Sequence, residues 1–419
     1  MASVATAGSG GHHTMAKTNG DDDDDDDAAP YDVPDQYENL DEVTAATGDT
    51  LDDIRRGESQ STSHADTAAQ ATRQTSRLAT QLYTLSYLVL FALLGTLARV
   101  GLAHLTTYPG APVLFPTLWA NVGGSLVMGF LVEDRKLFRH EWGTTPPSSD
   151  AAVDLAAAKR AHLAAKKTIP LYIGLATGFC GSFTSFSTFI RDVFLALAND
   201  MPGPPPAHRS GGYSVMALLA VLIETIGLSL AAYRAGMHLG AALEPYTPSI
   251  PVRRARSVLD GLAVLLGWGG WLGAVLLAVF PPHDRWRGTV VFAIVFAPLG
   301  CLARFYLALF LNGRRPSFPL GTFAANVLGT VILGMAWDLA HSVSGGGGVL
   351  GCQLLQGVED GFCGCLTTVS TWVAELSSLR RKSAYIYGSV SVVVSVALMV
   401  VIMGSLRWTQ GFAPLQCHP

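Results

Sequence analysis

The densest polar chemistry in this 419-residue chain lies inside an apolar run, Gly178-Phe-Cys-Gly181-Ser-Phe-Thr184-Ser-Phe186-Ser187-Thr188-Phe189. Two glycines and several hydroxyls in mid-segment point to a break in a helix. Backbone that leaves the helix inside a membrane must be buried in protein and find new partners. Carbonyls freed in this way could surround a small cation. Phe186 and Phe189 are three apart on one helix face, and an aromatic ring is positive at its edge. With Ser187 and Thr188 they offer weakly polar donors in place of the water that a strongly hydrated small anion gives up. Two plainer readings stay open at this point: a close glycine contact between crossing helices, and a Phe pair that is ordinary core packing.

Other polar residues sit in apolar surroundings. Asn121 and Asn326 are mid-helix, where a buried amide must be hydrogen-bonded. Each either braces helix packing or donates its NH2 to a passing anion. Arg99 and Arg304 lie near the ends of their helices, facing a cavity or snorkelling to the interface. Tyr387, Ser391 and Ser395 recur every four residues as one polar stripe. The corresponding apolar run of the first half instead carries Glu224, a carboxylate that is costly in a membrane and usually paired. It could pair with an arginine, stay protonated or move protons.

These features occur twice. Gly95-Thr-Leu-Ala-Arg99 matches Gly300-Cys-Leu-Ala-Arg304, and Asn121-Val-Gly-Gly-Ser125 with Gly129 matches Asn326-Val-Leu-Gly-Thr330 with Gly334. The broken segment matches Gly361-Phe-Cys-Gly364-Cys-Leu-Thr367-Thr-Val369-Ser370-Thr371-Trp372. An internal repeat of this kind constrains the whole architecture.

The elements that must position these residues are apolar helices. The chain is 49% hydrophobic and 14% charged, against about a quarter charged in soluble domains. Nine apolar runs approach the roughly 20 residues a bilayer requires: 78–104, 114–132, 169–195, 213–235, 257–280, 288–311, 318–340, 350–378 and 384–406. The expected fold is an all-α membrane protein in which two four-helix repeats, each with a broken third helix, are joined by a linker helix. Four helices per repeat would leave both copies in one orientation; the unmatched run 257–280 inverts the second. Its Gly267-Trp-Gly-Gly-Trp271 cluster suits a linker, or a packing surface. Inverted repeats are a device of transporters and channels, with the ion path at the repeat interface.

Loop charges set the orientation. Arg135, Lys136, Arg139, Lys159, Arg160, Lys166 and Lys167 fall on one face with Arg253, Arg254, Arg256, Arg314, Arg315, Arg380, Arg381 and Lys382. The N-terminus is therefore expected in the cytoplasm and the C-terminus outside. The expected organisation is an acidic disordered tail over 1–77, a first channel domain over 78–240, a linker over 241–284, a second, inverted domain over 285–408 and a short tail over 409–419. The tail, with its run Asp21 to Asp27, is too poor in apolar residues to fold. With a net charge of -4 and no basic domain, a nucleic-acid partner is not expected. The six cysteines show no zinc spacing and read as small apolar residues of membrane helices. No nucleophile, metal or phosphate motif points to an enzyme.

Three motifs, in order and twice over, resemble the Fluc/CrcB/FEX fluoride channel family across about 78–406. The resemblance implies a dual-topology fold working as one two-domain chain (a pseudo-dimer) in the plasma membrane. It implies passive, selective exit of fluoride along the domain interface. It implies a central structural sodium ion held by backbone carbonyls at Gly181, Thr184, Gly364 and Thr367. By position, Asn121 and Asn326 would line pores and Arg99 and Arg304 the vestibules. The paired phenylalanines would be Phe186 and Phe189 in the first copy, replaced by Val369 and Trp372 in the second. Because that substitution leaves one position without a ring, one pore is expected to conduct, using Asn326 and the Tyr387–Ser391–Ser395 stripe. The competing expectation is a proton-coupled carrier using Glu224, which has no counterpart in the second copy.

Overall fold

The computed structural model describes residues 62–138, 166–201, 210–250, 258–281, 286–342 and 347–417, with side chains from Leu78 onward. Among these residues every regular element is helical. Helix α1 spans Thr62–Thr106, α2 Thr117–Glu133, α4 Gly211–Leu243, α5 Asp260–Val279, α7 Leu320–Ala340 and α9 Arg381–Thr409. Helix α6 begins with a π-helical turn, Arg287–Phe292, and continues over Ala293–Leu311. Two elements are composite. Helix α3a runs through Pro170–Ile173, a π-helical stretch Gly174–Cys180 and Gly181–Phe183, and α3b resumes at Phe186–Leu197. Likewise α8a runs through Gly348–Gly357, Val358–Cys363 and Gly364–Leu366, and α8b resumes at Ser370–Ser378.

Among the described residues, seven helices are long and apolar enough to cross a membrane. They do not include the 17-residue α2 or α8, whereas the equally interrupted α3 is one of them. Residues 62–77, grouped with the tail on composition, continue α1. The poly-Asp run and the rest of 1–61 lie outside the described residues, as does most of the basic loop after α2. Lys166 closes that loop: its buried ammonium donates to the carbonyls of Leu131 at 3.0 Å and Val132 at 3.2 Å and also to that of Asp134. It thus caps the C-terminus of α2, where a cation is favoured, although burial pulls its pKa down to about 8.

Small residues let the backbones approach. A β-carbon on Gly95 would stand 2.7 Å from the Phe179 carbonyl, and one on Gly300 would overlap the Phe362 carbonyl, so α1 packs on α3a as α6 packs on α8a. Gly124 abuts the Thr184 methyl as Gly329 abuts the Thr367 methyl. The sequence repeat is therefore a repeat of contacts.

Helix α5 does more than connect. Gly267 lies against the Ser86 carbonyl, Trp268 donates to Ser86 Oγ at 2.9 Å, and Trp271 donates to the Val295 carbonyl at 2.9 Å. With Tyr87 donating to Asp260 at 2.9 Å, the Gly-Trp cluster is a packing surface that ties α1 to α6.

The cysteine expectation needs correction. Cys352 and Cys417 form a disulfide between α8a and the C-terminal segment, while Cys180, Cys301, Cys363 and Cys365 are free and buried. Composition could not reveal the pair, because the two residues are 65 apart in sequence and meet only when the tail folds back.

The closest backbone approach is between α2 and α4, where β-carbons on Gly129 and Gly236 would overlap the carbonyls of Tyr233 and Leu126. Gly236→Ala should destabilise the fold by about 1–3 kcal/mol. Gly227→Ala on the same helix, with nothing within 4 Å of the new carbon, should leave the melting temperature of the detergent-purified protein unchanged. Equal shifts for the two would refute this packing.

Candidate functional site at the two helix breaks

Helix α3 leaves helical geometry at Thr184 (φ -94°, ψ 152°), and α8 does so at Thr367 (φ -96°, ψ 155°). Each break exposes the first amides of the helix that follows, and each set is satisfied from the other half of the chain. Thr367 Oγ1 accepts from the amides of Phe186 at 3.1 Å and Ser187 at 3.0 Å. Thr184 Oγ1 accepts from the amides of Val369 and Ser370, both at 3.2 Å. Threonine is suited to cap a helix N-terminus; here each cap is exchanged between halves. Each hydroxyl in turn donates four residues back, Thr184 to the Cys180 carbonyl at 3.0 Å and Thr367 to that of Cys363 at 2.9 Å.

The other predicted hydroxyls join this network. Ser187 Oγ lies 3.0 Å from Thr367 Oγ1, Ser370 Oγ lies 3.2 Å from Thr184 Oγ1, and Thr188 Oγ1 lies 2.8 Å from Ser185 Oγ. The Thr371 amide donates to Thr368 Oγ1 at 3.4 Å.

Both asparagines brace a break. Asn121 accepts from the Ser185 amide at 2.8 Å and donates to the Ser185 carbonyl at 3.4 Å. Asn326 does the same with Thr368, at 2.9 Å and 3.2 Å. In an uninterrupted helix those two amides would bond to the carbonyls four residues back, at Gly181 and Gly364. Diverting them frees these carbonyls. The result is a neutral set of hard oxygen donors at the centre, of the kind that suits a hard cation, and the residues present fit a sodium ion.

The arginines tie the breaks together. Arg99 donates from Nε to the Ser182 carbonyl at 3.2 Å and from Nη2 to the Asp360 carbonyl of the other half. Arg304 donates to the Cys365 carbonyl at 2.8 Å and, across the interface, to the Thr177 carbonyl at 2.8 Å. Both are buried, 4% and 3% exposed, which places them inside the protein rather than at an open vestibule. A β-carbon on Gly364 would overlap the Arg99 guanidinium, and one on Gly181 that of Arg304. None of these arginine bonds uses the Gly181 or Gly364 carbonyl.

The aromatic residues distinguish the two faces of the interface. Phe186 meets Trp372 of the other half edge-on, with centroids 5.5 Å apart, and meets Phe189 at 5.7 Å. The Trp372 ring also lies 3.8 Å from where a Gly388 β-carbon would stand, on the α9 turn between Tyr387 and Ser391. Val369 is buried and contributes no ring. Trp372 Nε1 and Ser395 Oγ are buried without a protein hydrogen-bond partner. Ser391 Oγ instead bonds to the Tyr387 carbonyl of its own helix at 2.7 Å.

Two features escaped the motif reading. Glu375 is buried and accepts from Tyr387 at 2.7 Å and from Thr322 at 2.6 Å, with Asn312 at 3.5 Å. The repeat pointed to it, since Glu375 matches Asp192 in register. The first half also has a buried every-fourth-residue row, Val221, Thr225 and Ser229. That row corresponds to the α9 stripe with valine in place of tyrosine. Glu224 stands beside it, half-buried, with no hydrogen bond or ion pair to a described residue.

The comparisons with known proteins agree with this geometry. The model of the family described as CrcB-like protein, Camphor Resistance (CrcB) matches residues 86–237 and 291–405, once in each half. The chain is 58% identical over 371 residues to "Fluoride export protein 1" of Neurospora crassa, covering 82% of this chain and 70% of that protein. It is 36% identical over 326 residues to "Fluoride export protein 1" of Candida albicans, covering 76% of this chain and 79% of that protein. A single bacterial unit, "Fluoride-specific ion channel FluC" of Geotalea daltonii, is 35% identical over 116 residues, which is 27% of this chain and 89% of the bacterial protein. No solved structure matches the chain. With two matched segments that together cover more than half its length, each containing an asparagine-braced helix break, the chain belongs to the CrcB-like family.

Proposed function

We infer that this protein is a fluoride channel, a passive export path and not an enzyme. The observation that carries the reading is the Phe186–Trp372 edge-to-face pair, packed beside the α9 stripe, where Trp372 Nε1 and Ser395 Oγ are buried without a protein hydrogen-bond partner. Ring edges, an indole N–H and a hydroxyl together replace the hydration of a small anion without a fixed full charge that would trap it. The matches to fluoride exporters and a fluoride-specific channel support the choice of ion.

The two halves are read as inverted four-helix domains with a path on each side of their interface. The path along α9 has the rings of Phe186, Trp372 and Tyr387 and the carboxyl group of Glu375. The path along α4 has valines at positions 221 and 369. We assign conduction to the first, with Asn326 shaping it. The working unit is one chain in a lipid bilayer, here the plasma membrane. The cytoplasmic N-terminus and outer C-terminus follow from the basic loops, and the Cys352–Cys417 disulfide supports them, since disulfides persist in oxidising surroundings. A sodium ion at the Gly181, Thr184, Gly364 and Thr367 carbonyls would supply one positive charge at the interface, where these residues hold the breaks open.

Fluoride efflux from proteoliposomes tests the function. The wild type should release fluoride down its gradient with a proton ionophore making no difference, and chloride should not compete. Phe186→Ala and Trp372→Ala should each slow efflux at least tenfold. Asn326→Asp should be far slower than Asn121→Asp; equal losses would refute a single working path. Replacing sodium with N-methylglucamine should lower both efflux and melting temperature. Thr367→Val, which deletes a cap worth about 1 kcal/mol, should lower the melting temperature without abolishing the sodium response.

A further inference from the structure

Helix α3b carries a cation that the conducting path, as described, does not use. Arg191 sits five residues beyond Phe186, inside a membrane-spanning helix, with its side chain 19% exposed. An ionisable residue in such a place is a functional candidate by default. It bonds to Asp192 from Nη2 at 3.0 Å and from Nε at 3.3 Å. The second half has Ala374 at the matching position, so this cation occurs once. Its guanidinium lies 5.3 Å from the centre of the Trp337 ring on α7. Trp337 is three turns beyond Asn326, toward the end of the bundle that carries the C-terminus.

Trp337 is itself held in place. His341 stacks on it with centroids 4.1 Å apart, and Phe412 of the C-terminal segment meets it edge-on at 6.0 Å. The segment is fastened at two points, and the end of α9 that leads into it at a third. The Ala413 amide donates to the His341 carbonyl at 2.9 Å, Cys417 is bonded to Cys352, and Arg407 pairs with Asp200 of the first half.

We propose that Arg191 is the counter-charge of the anion exit, neutralising the Asp192 carboxylate that fluoride must pass, and that the disulfide-fastened C-terminal segment is a strap that positions it through Trp337. Without Arg191, the Asp192 carboxylate in a poorly solvated passage would repel a leaving anion, because Coulomb energies grow as the dielectric falls. Arg191 is thus a permeation residue, and Trp337, Phe412 and the disulfide are positioning elements. The inference rests on assigning conduction to the Phe186–Trp372 face.

Fluoride efflux from proteoliposomes holding the full chain, purified without reductant, tests it. Arg191→Met should slow efflux at least tenfold. Arg191→Met/Asp192→Asn should recover at least threefold of that loss, and Arg191→Lys should keep at least half the wild-type rate. A wild-type rate for Arg191→Met, no recovery in the double variant, or Arg191→Lys as slow as Arg191→Met would each overturn the counter-charge role. If Arg191→Met cannot be recovered as a monodisperse protein, Asp192→Asn decides: it should match or exceed wild type, and a slower rate overturns the proposal. Cys352→Ser/Cys417→Ser should slow efflux two- to fivefold, and should slow an Arg191→Met background no further, since the two act through one element. Independent, multiplying losses would refute the strap. Phe186→Ala in the same assay separates the two readings. If it conducts normally, the path assignment fails; if it is inactive while Arg191→Met is normal, only the present inference fails.

Discussion

Everything in this molecule depends on keeping two broken helices satisfied where water cannot reach them. Interrupting α3 and α8 in mid-bundle releases amides and carbonyls, and an unpaired backbone group in an apolar interior costs several kcal/mol. The chain meets that cost by exchange. The threonine at each break caps the helix that follows the other break, an asparagine from a neighbouring helix takes the diverted amide, and an arginine ties the carbonyls of both halves. Neither half completes its own break, so the interface is a condition of the fold and not an addition to it.

The same exchange explains the glycines. Arg99 and Arg304 reach the opposite break only because Gly364 and Gly181 present no β-carbon, and the threonine methyls fit only against Gly124 and Gly329. Close approach of backbones is then propagated outward, through Gly95 and Gly300 to the first helix of each half. The linker helix α5 binds those two first helices to each other with indole N–H bonds to Ser86 and Val295. Duplication of a frame this tightly packed leaves little freedom at the centre and more toward the ends.

That gradient shows in what differs between the halves. The break residues are matched pair by pair, down to hydrogen-bond partners. Farther out, Phe186 is set against Val369, Phe189 against Trp372, Arg191 against Ala374 and Val221 against Tyr387. A carboxylate is retained at Asp192 and Glu375, but one is paired with an adjacent arginine and the other with the hydroxyls of Thr322 and Tyr387 and the side-chain amide of Asn312. The scaffold is symmetric because backbone satisfaction demands it; side chains farther from the breaks are free of that demand and differ between the halves.

Much of this was legible in the residues alone. Apolar runs of bilayer length, glycines amid hydroxyls and three motifs in repeated order determined that the chain is helical, duplicated and interrupted near Gly181 and Gly364, because these follow from local preferences and from the length a bilayer imposes; the structure puts the breaks three residues on, at Thr184 and Thr367. What the polar groups bond to was decided only by tertiary structure. Asn121 and Asn326 were candidates for a passing anion and prove to brace backbone. Arg99 and Arg304 were assigned to vestibules and prove buried. The Gly-Trp cluster of α5 proves to be a contact surface, and Cys352 finds Cys417. Each of these depends on which segments distant in sequence become neighbours. Motif and spacing identify a donor, but only packing supplies its acceptor.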